Sequence, residues 1–173
     1  MTMGERRPLN GAKKVVLCGL MASTLTVLKM VLSPLPNIEP VSLLILVYAL
    51  VFGRQVLSII LPFVVVEGLL YGFNPMWWLG YLYVWPLWGL ICTKLPPGRP
   101  LLLAMASGTF GLAFGALMSV PYWVTGGPWA ALSWWISGIP ADLLHCGGNF
   151  VLALVLADPL YQVLCKLRDR VFR

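Results

Sequence analysis

The chain has 173 residues, of which 60% are hydrophobic and only 10% charged. A soluble domain carries about 25% charged residues, so this chain cannot cover itself in water and reads as an integral membrane protein. The net charge of +6 does not indicate nucleic acid, because the basic residues sit at the flanks of apolar runs rather than in one patch.

Lys13 and Lys14 precede the first apolar run, placed at 14–32. It lacks a small-x-small cleavage site and is read as a retained span rather than a signal peptide. Ser33-Pro34-Leu35-Pro36-Asn37 stops it, since proline removes a backbone donor. A short second span is placed at 38–52, and Gly53-Arg54 is a tight turn. The third, at 55–72, contains Pro62, and Gly72-Phe73-Asn74-Pro75 turns the chain again. The fourth, at 76–93, contains Pro86 and is followed by the loop Lys94-Leu95-Pro96-Pro97-Gly98-Arg99. The fifth is placed at 100–124 and is broken by Gly126-Gly127-Pro128. Trp129 to Ser137 is apolar but too short to cross a bilayer, so a re-entrant, interfacial or helical course is open. The sixth span is placed at 139–166, with Pro140 in its first turn. The expectation is one all-α membrane domain, 1–173, of six transmembrane helices.

With six spans both termini share a side. Arg6, Arg7, Lys13, Lys14, Arg54, Lys94, Arg99, Lys166, Arg168, Arg170 and Arg173 all fall on it, and only Lys29 does not. Basic loops stay in the cytoplasm, so the termini are expected there.

This topology gives each intramembrane polar residue a depth. At 1.5 Å per residue, Lys29 and Glu67 lie roughly 8 Å below the outer ends of spans one and three. Glu39 and Asp142 lie in the outer first turns of spans two and six. Ionisable groups inside a membrane mark functional sites by default. The two first-turn acids also have a structural reason to be there, because the helix dipole favours them, and Lys29 can pair with Glu39 or Glu67. Asp142, His145 (the sole histidine) and Asn149 share one face at i, i+3 and i+7. Trp78, Tyr81, Trp85 and Trp88 form a second single-face stripe, and Tyr122 and Trp134 add aromatic surface near the outer side. The expected site is a small, outward-facing pocket with aromatic walls, built from Lys29, Glu39, Glu67, Trp78, Tyr81, Trp85, Tyr122, Trp134, Asp142, His145 and Asn149. Three acids against one base favour a ligand with a cationic or hydrogen-donating part.

Several chemistries are missing. There is no phosphate-binding glycine loop and no HExxH. Cys18, Cys92, Cys146 and Cys165 form no CxxC, so no metal or cofactor is expected. Ser137 and His145 are eight residues apart on different helix faces, which argues against a hydrolase and leaves no candidate catalytic residue.

Four stretches carry a family resemblance: PNIEPVSLLILVYALVFGRQVL (Pro36 to Leu57), VVEGLLYGF (Val65 to Phe73), YLYVWPL (Tyr81 to Leu87) and GIPADLLHCGGNFVLALVLADPLY (Gly138 to Tyr161). In these and in its length and span count, the chain resembles the substrate-binding (S) components of energy-coupling factor (ECF) transporters. The resemblance implies a non-enzymatic subunit of the prokaryotic plasma membrane that binds a vitamin or related micronutrient from outside. It also implies partners: a transmembrane coupling protein and two ATPase subunits. Family members dock through small residues on the first helix, often Ala-x-x-x-Ala. The matching region here, CGLMASTL, offers Cys18/Ala22 and Gly19/Ser23 and departs from the alanine pair. The alternative is a structural or scaffold protein of the cell envelope, in which the outer acids pair with Lys29 and no pocket exists.

Overall fold

The structure, a computed structural model, describes residues 11–34 and 40–171. Within them the elements are α1 (Gly11–Leu32), α2 (Pro40–Phe52), a 3₁₀ turn (Gly53–Val56), α3 (Leu57–Tyr71), α4 (Pro75–Cys92), α5 (Pro100–Met118) and α6 (Val120–Val171). No strand occurs among the described residues. Among the described residues, four stretches are long and apolar enough to cross a membrane: Gly11–Leu32, Pro40–Tyr71, Pro100–Met118 and Val120–Arg170.

Turn chemistry sets the breaks. Gly53, Gly72, Gly98 and Gly127 all have positive φ, a conformation that a Cβ penalises, and each lies where the sequence reads as a turn. At the start of α4 the Asn74 carboxamide oxygen accepts a hydrogen bond from the Met76 N–H at 2.9 Å, with Pro75 in the first helical position.

The stretch Pro40–Tyr71 is not one rod. A Cβ added to Gly89 of α4 would meet Ile45 of α2 at 3.6 Å and Ile60 of α3 at 2.7 Å. In a straight helix those two isoleucines would lie roughly 22 Å apart, so the chain reverses at Gly53.

α2 is buried along almost its whole length, from Val41 to Ala49 without interruption. A helix that is apolar all round belongs at the centre of a bundle. It packs on α1, α4, α5 and α6, while α3 packs between α1 and α4. Indole N–H groups tie these helices together through backbone carbonyls. Trp78 Nε1 donates to Val64 O of α3 and Trp88 Nε1 to Ser42 O of α2, each at 2.9 Å. The outward faces carry Val16, Leu20, Leu69, Leu101, Met105, Val151 and Val155, all exposed, as a lipid-facing surface requires.

α5 and α6 form the most extensive pair, running antiparallel. The small residues Ser107, Gly108, Gly111 and Gly115 on α5 face Asn149, Phe150, Cys146, His145 and Asp142 on α6. Without side chains the glycines let the two backbones approach closely.

Helix α5 ends at Met118, short of the boundary at 124 expected from hydropathy, and a new helical segment begins at Val120. Its backbone leaves the helical region at Gly127 (φ 79°, ψ −178°) and then runs on to Val171. Trp129 to Ser137 is therefore helical and continuous with the last helix, which starts before the expected residue 139. Residues 119–138 extend beyond the Gly115–Asp142 end of the seam as an uncharged hairpin, with Trp123, Val124, Trp129 and Ile136 exposed.

Candidate functional site

The expected polar residues gather into two patches joined by aromatic rings. The first lies between α1, α3 and α4. Lys29, in the last turn of α1, forms an ion pair with Glu67 of α3. Its ammonium donates to the Tyr81 hydroxyl at 3.2 Å and lies 4.9 Å from the Tyr81 ring centroid and 5.5 Å from that of Tyr71. These are cation–π distances. Glu67 has 0% exposure, and its second oxygen, Oε1, has no hydrogen-bond partner among the described residues.

The second patch lies on the α5–α6 seam. Asp142 Oδ1 accepts the Gly115 N–H at 3.0 Å and the Trp135 side chain also reaches the carboxylate, while Oδ2 has no close hydrogen bond among the described residues. One helical turn on, the His145 ring meets the Phe114 ring edge to face, at 4.9 Å between centroids and 74° between planes. His145 Nε2 is buried and lacks a partner among the described residues. Further along the same face, Asn149 Nδ2 donates to Ser107 O at 3.4 Å, while Asn149 Oδ1 and Ser107 Oγ have no such partner.

Of the four expected ionisable groups, the structure pairs Lys29 with Glu67 and sets Asp142 against Gly115 on the α5–α6 seam. Asp142 engages Gly115 rather than Lys29, because the α5–α6 seam holds its carboxylate against the α5 backbone. Glu39 lies outside the described residues. The rings connect the patches in sequence. Tyr81 packs on Trp85 at 5.5 Å, Trp85 on Phe114 at 5.4 Å, and Phe114 on His145. Trp85 is fully buried, and its Nε1–H is another donor without a partner among the described residues.

The α4 stripe serves three neighbours. Trp78 bonds to α3 and packs edge to face with Phe73. Tyr81 meets Lys29 of α1. Trp88 bonds to α2 and stacks on Phe110 of α5 at 4.4 Å. Tyr122 and Trp134 join neither patch: they stack on each other at 4.7 Å and 23°, bracing the 119–138 hairpin.

The expected docking residues on α1 divide by face. Ala22 is buried in the core and Cys18 is partly buried against it. Gly19 and Ser23 are exposed, with open space beside Gly19. Only the second small pair therefore lies on the outer face of α1.

The sequence reading missed the α5 half of the seam. Its signal was the four-residue spacing of Ser107, Gly111 and Gly115, a small-x-x-x-small repeat that marks close helix contact. Phe110, Phe114 and Tyr71 were also missed, and only their places beside Trp85, Trp88 and Lys29 reveal them.

A buried polar atom without a partner costs about 1–3 kcal/mol. Six of them, Glu67 Oε1, Trp85 Nε1, Ser107 Oγ, Asp142 Oδ2, His145 Nε2 and Asn149 Oδ1, lie at the two patches or on the ring ladder between them. They could accept or donate hydrogen bonds to a bound polar molecule. Among the described residues no group of His, Cys, Asp and Glu could hold a metal ion. Comparisons of the chain with protein-family models, curated proteins and solved structures gave no match.

Proposed function

We propose that this protein is a six-span, substrate-binding membrane subunit, the S component of an ECF-type importer in a prokaryotic plasma membrane. It captures a small micronutrient from the outer side and delivers it after docking on a coupling protein that carries two ATPase subunits. The observation that carries this reading is the set of buried polar atoms, Glu67 Oε1, Trp85 Nε1, Asp142 Oδ2 and His145 Nε2, that lack a hydrogen-bond partner among the described residues and lie on or beside the Tyr81–Trp85–Phe114–His145 ladder. Buried polar groups normally have partners, and a ligand would supply them here. The sequence has no nucleotide-binding motif, which agrees with a subunit whose energy comes from partners.

Native mass spectrometry of the purified protein tests the reading. A retained small molecule, with recovery of the coupling and ATPase subunits from the native membrane, is the expected result. A protein that carries no small molecule and recovers no such subunits would count against it.

One observation favours a second reading, a structural membrane protein of the cell envelope: Lys29 already neutralises Glu67. Under that reading the patches are helix–helix fasteners, and the same experiment returns a bare protein.

A further inference from the structure

We infer that the seam patch at Asp142 recognises the positively charged, hydrogen-donating edge of a flat ring. The inference rests on reading the partnerless polar atoms as a ligand site, and it deepens that reading.

Charge is the first ground. Lys29 and Glu67 compensate each other. Asp142 is only 5% exposed, and the donors that reach it, the Gly115 N–H and the Trp135 side chain, are both uncharged. One turn along the same helix face, His145 packs on Phe114 and brings no fixed positive charge. The next cations along its own helix, Lys166 and Arg168, are roughly 36 Å further on. A carboxylate buried in low dielectric calls for a compensating charge, and Oδ2 is the atom left to receive it.

Shape is the second ground. The surroundings are aromatic: the Trp135 side chain reaches the Asp142 carboxylate, and one turn along the helix Phe114 packs on His145 at 4.9 Å and on Trp85 at 5.4 Å. Such rings take a flat or cationic group well. Trp85 Nε1 can only donate, so it calls for an acceptor on the ligand. His145 Nε2 can serve either way. The ligand class is an amino-substituted aromatic cation with an acceptor away from its charged edge.

The test uses three fragments of one size: benzamidinium, benzamide and benzoate. Each is titrated into the full-length protein in detergent, with intrinsic tryptophan fluorescence and thermal unfolding as readouts. Benzamidinium is expected to bind about tenfold or more tighter than benzamide, a difference that a charge-assisted hydrogen bond can supply. Benzoate is expected to give no response. In Asp142→Asn, which keeps an acceptor for the Gly115 N–H, the preference for benzamidinium disappears. The inference is overturned if benzamide or benzoate binds as well as benzamidinium, if none of the three binds at millimolar concentration, or if Asp142→Asn keeps the preference. The wild-type series stands even if the variant does not fold. A retained native molecule that is neutral or anionic would sink the charge assignment alone. A bare protein that also ignores all three fragments would remove the binding reading with it.

Discussion

The carboxylate of Asp142 on α6 rests on the backbone of Gly115 on α5, taking its N–H at 3.0 Å. A Cβ at position 115 would occupy the space that the carboxylate now fills. Gly115 is thus a steric condition for the position of Asp142, and the acid is held by helix packing rather than by a counter-ion.

Gly115→Ala is therefore expected to destabilise the protein by about 1–3 kcal/mol, the usual cost of overpacking. It should also weaken any ligand response that depends on Asp142. Gly19→Ala, with open space around the new methyl, should change stability by less than about 0.5 kcal/mol. Denaturant unfolding in a fixed detergent measures both. Equal effects at the two positions would show that the seam is not close-packed.

The Lys29–Glu67 pair makes a second, opposite prediction. Removing Lys29 strands the fully buried Glu67 carboxylate, so Lys29→Met alone should cost about 3–5 kcal/mol, and Glu67→Leu alone, which leaves a partly exposed ammonium, should cost less. The double variant should recover most of that loss, because an apolar pair needs no compensation. A double-mutant cycle on unfolding free energy checks this, and strict additivity of the two losses would contradict the pair.

Trp88 fastens α4 to α2 through its indole N–H on Ser42 O and packs α4 against α5 by stacking on Phe110. Trp88→Phe keeps a ring for the stack and orphans no donor, so it should cost about 0.5–1.5 kcal/mol, the net value of one hydrogen bond. Trp88→Ala, which also empties a fully packed site, should cost about 3–5 kcal/mol. The ratio of the two losses separates the hydrogen bond from the packing.

The charge asymmetry of the loops can be read directly. In a variant whose four cysteines are replaced by serine or alanine, single cysteines at Thr125 and at Lys94 lie at opposite ends of α5. A membrane-impermeant maleimide added to intact cells should label position 125 and spare position 94 until the cells are opened. The reverse pattern would invert the orientation that the basic loops imply.

Much of the helical layout was legible because its punctuation is local. Gly53, Gly72, Gly98 and Gly127 each sit where the backbone must take a positive φ, and Pro75 and Pro100 stand at helix starts where a missing N–H costs nothing. The end of α5 was less legible. Hydropathy runs unbroken from Pro100 through Val124, while the helix stops at Met118, just before Pro121, which has no N–H to offer the Leu117 carbonyl; that carbonyl accepts the Tyr83 hydroxyl instead. Trp129 to Ser137 was ambiguous for a related reason. Its length alone cannot cross a bilayer, but it is the leading part of a longer helix.

The candidate site was legible as a set of residue types and only partly as an arrangement. Asp142, His145 and Asn149 do share one face of α6 and are buried together. Their depth on the chain gives a position along the membrane normal but not the direct partners: Glu67 for Lys29 and Gly115 for Asp142 come from helix packing.

By itself the sequence determined that the chain is an apolar, all-helical membrane protein with turns at its glycines and prolines. Those properties depend on consecutive residues and on the balance of charge against apolar surface. Only the tertiary structure decided that Lys29 takes Glu67, that Asp142 takes Gly115, and that the Tyr81–Trp85–Phe114–His145 rings bridge the two. The reason is physical. These partners are tens of residues apart in the chain, and which of several available donors a buried acid meets depends on how closely two helices approach. On the α5–α6 seam, glycines lacking a Cβ set that approach.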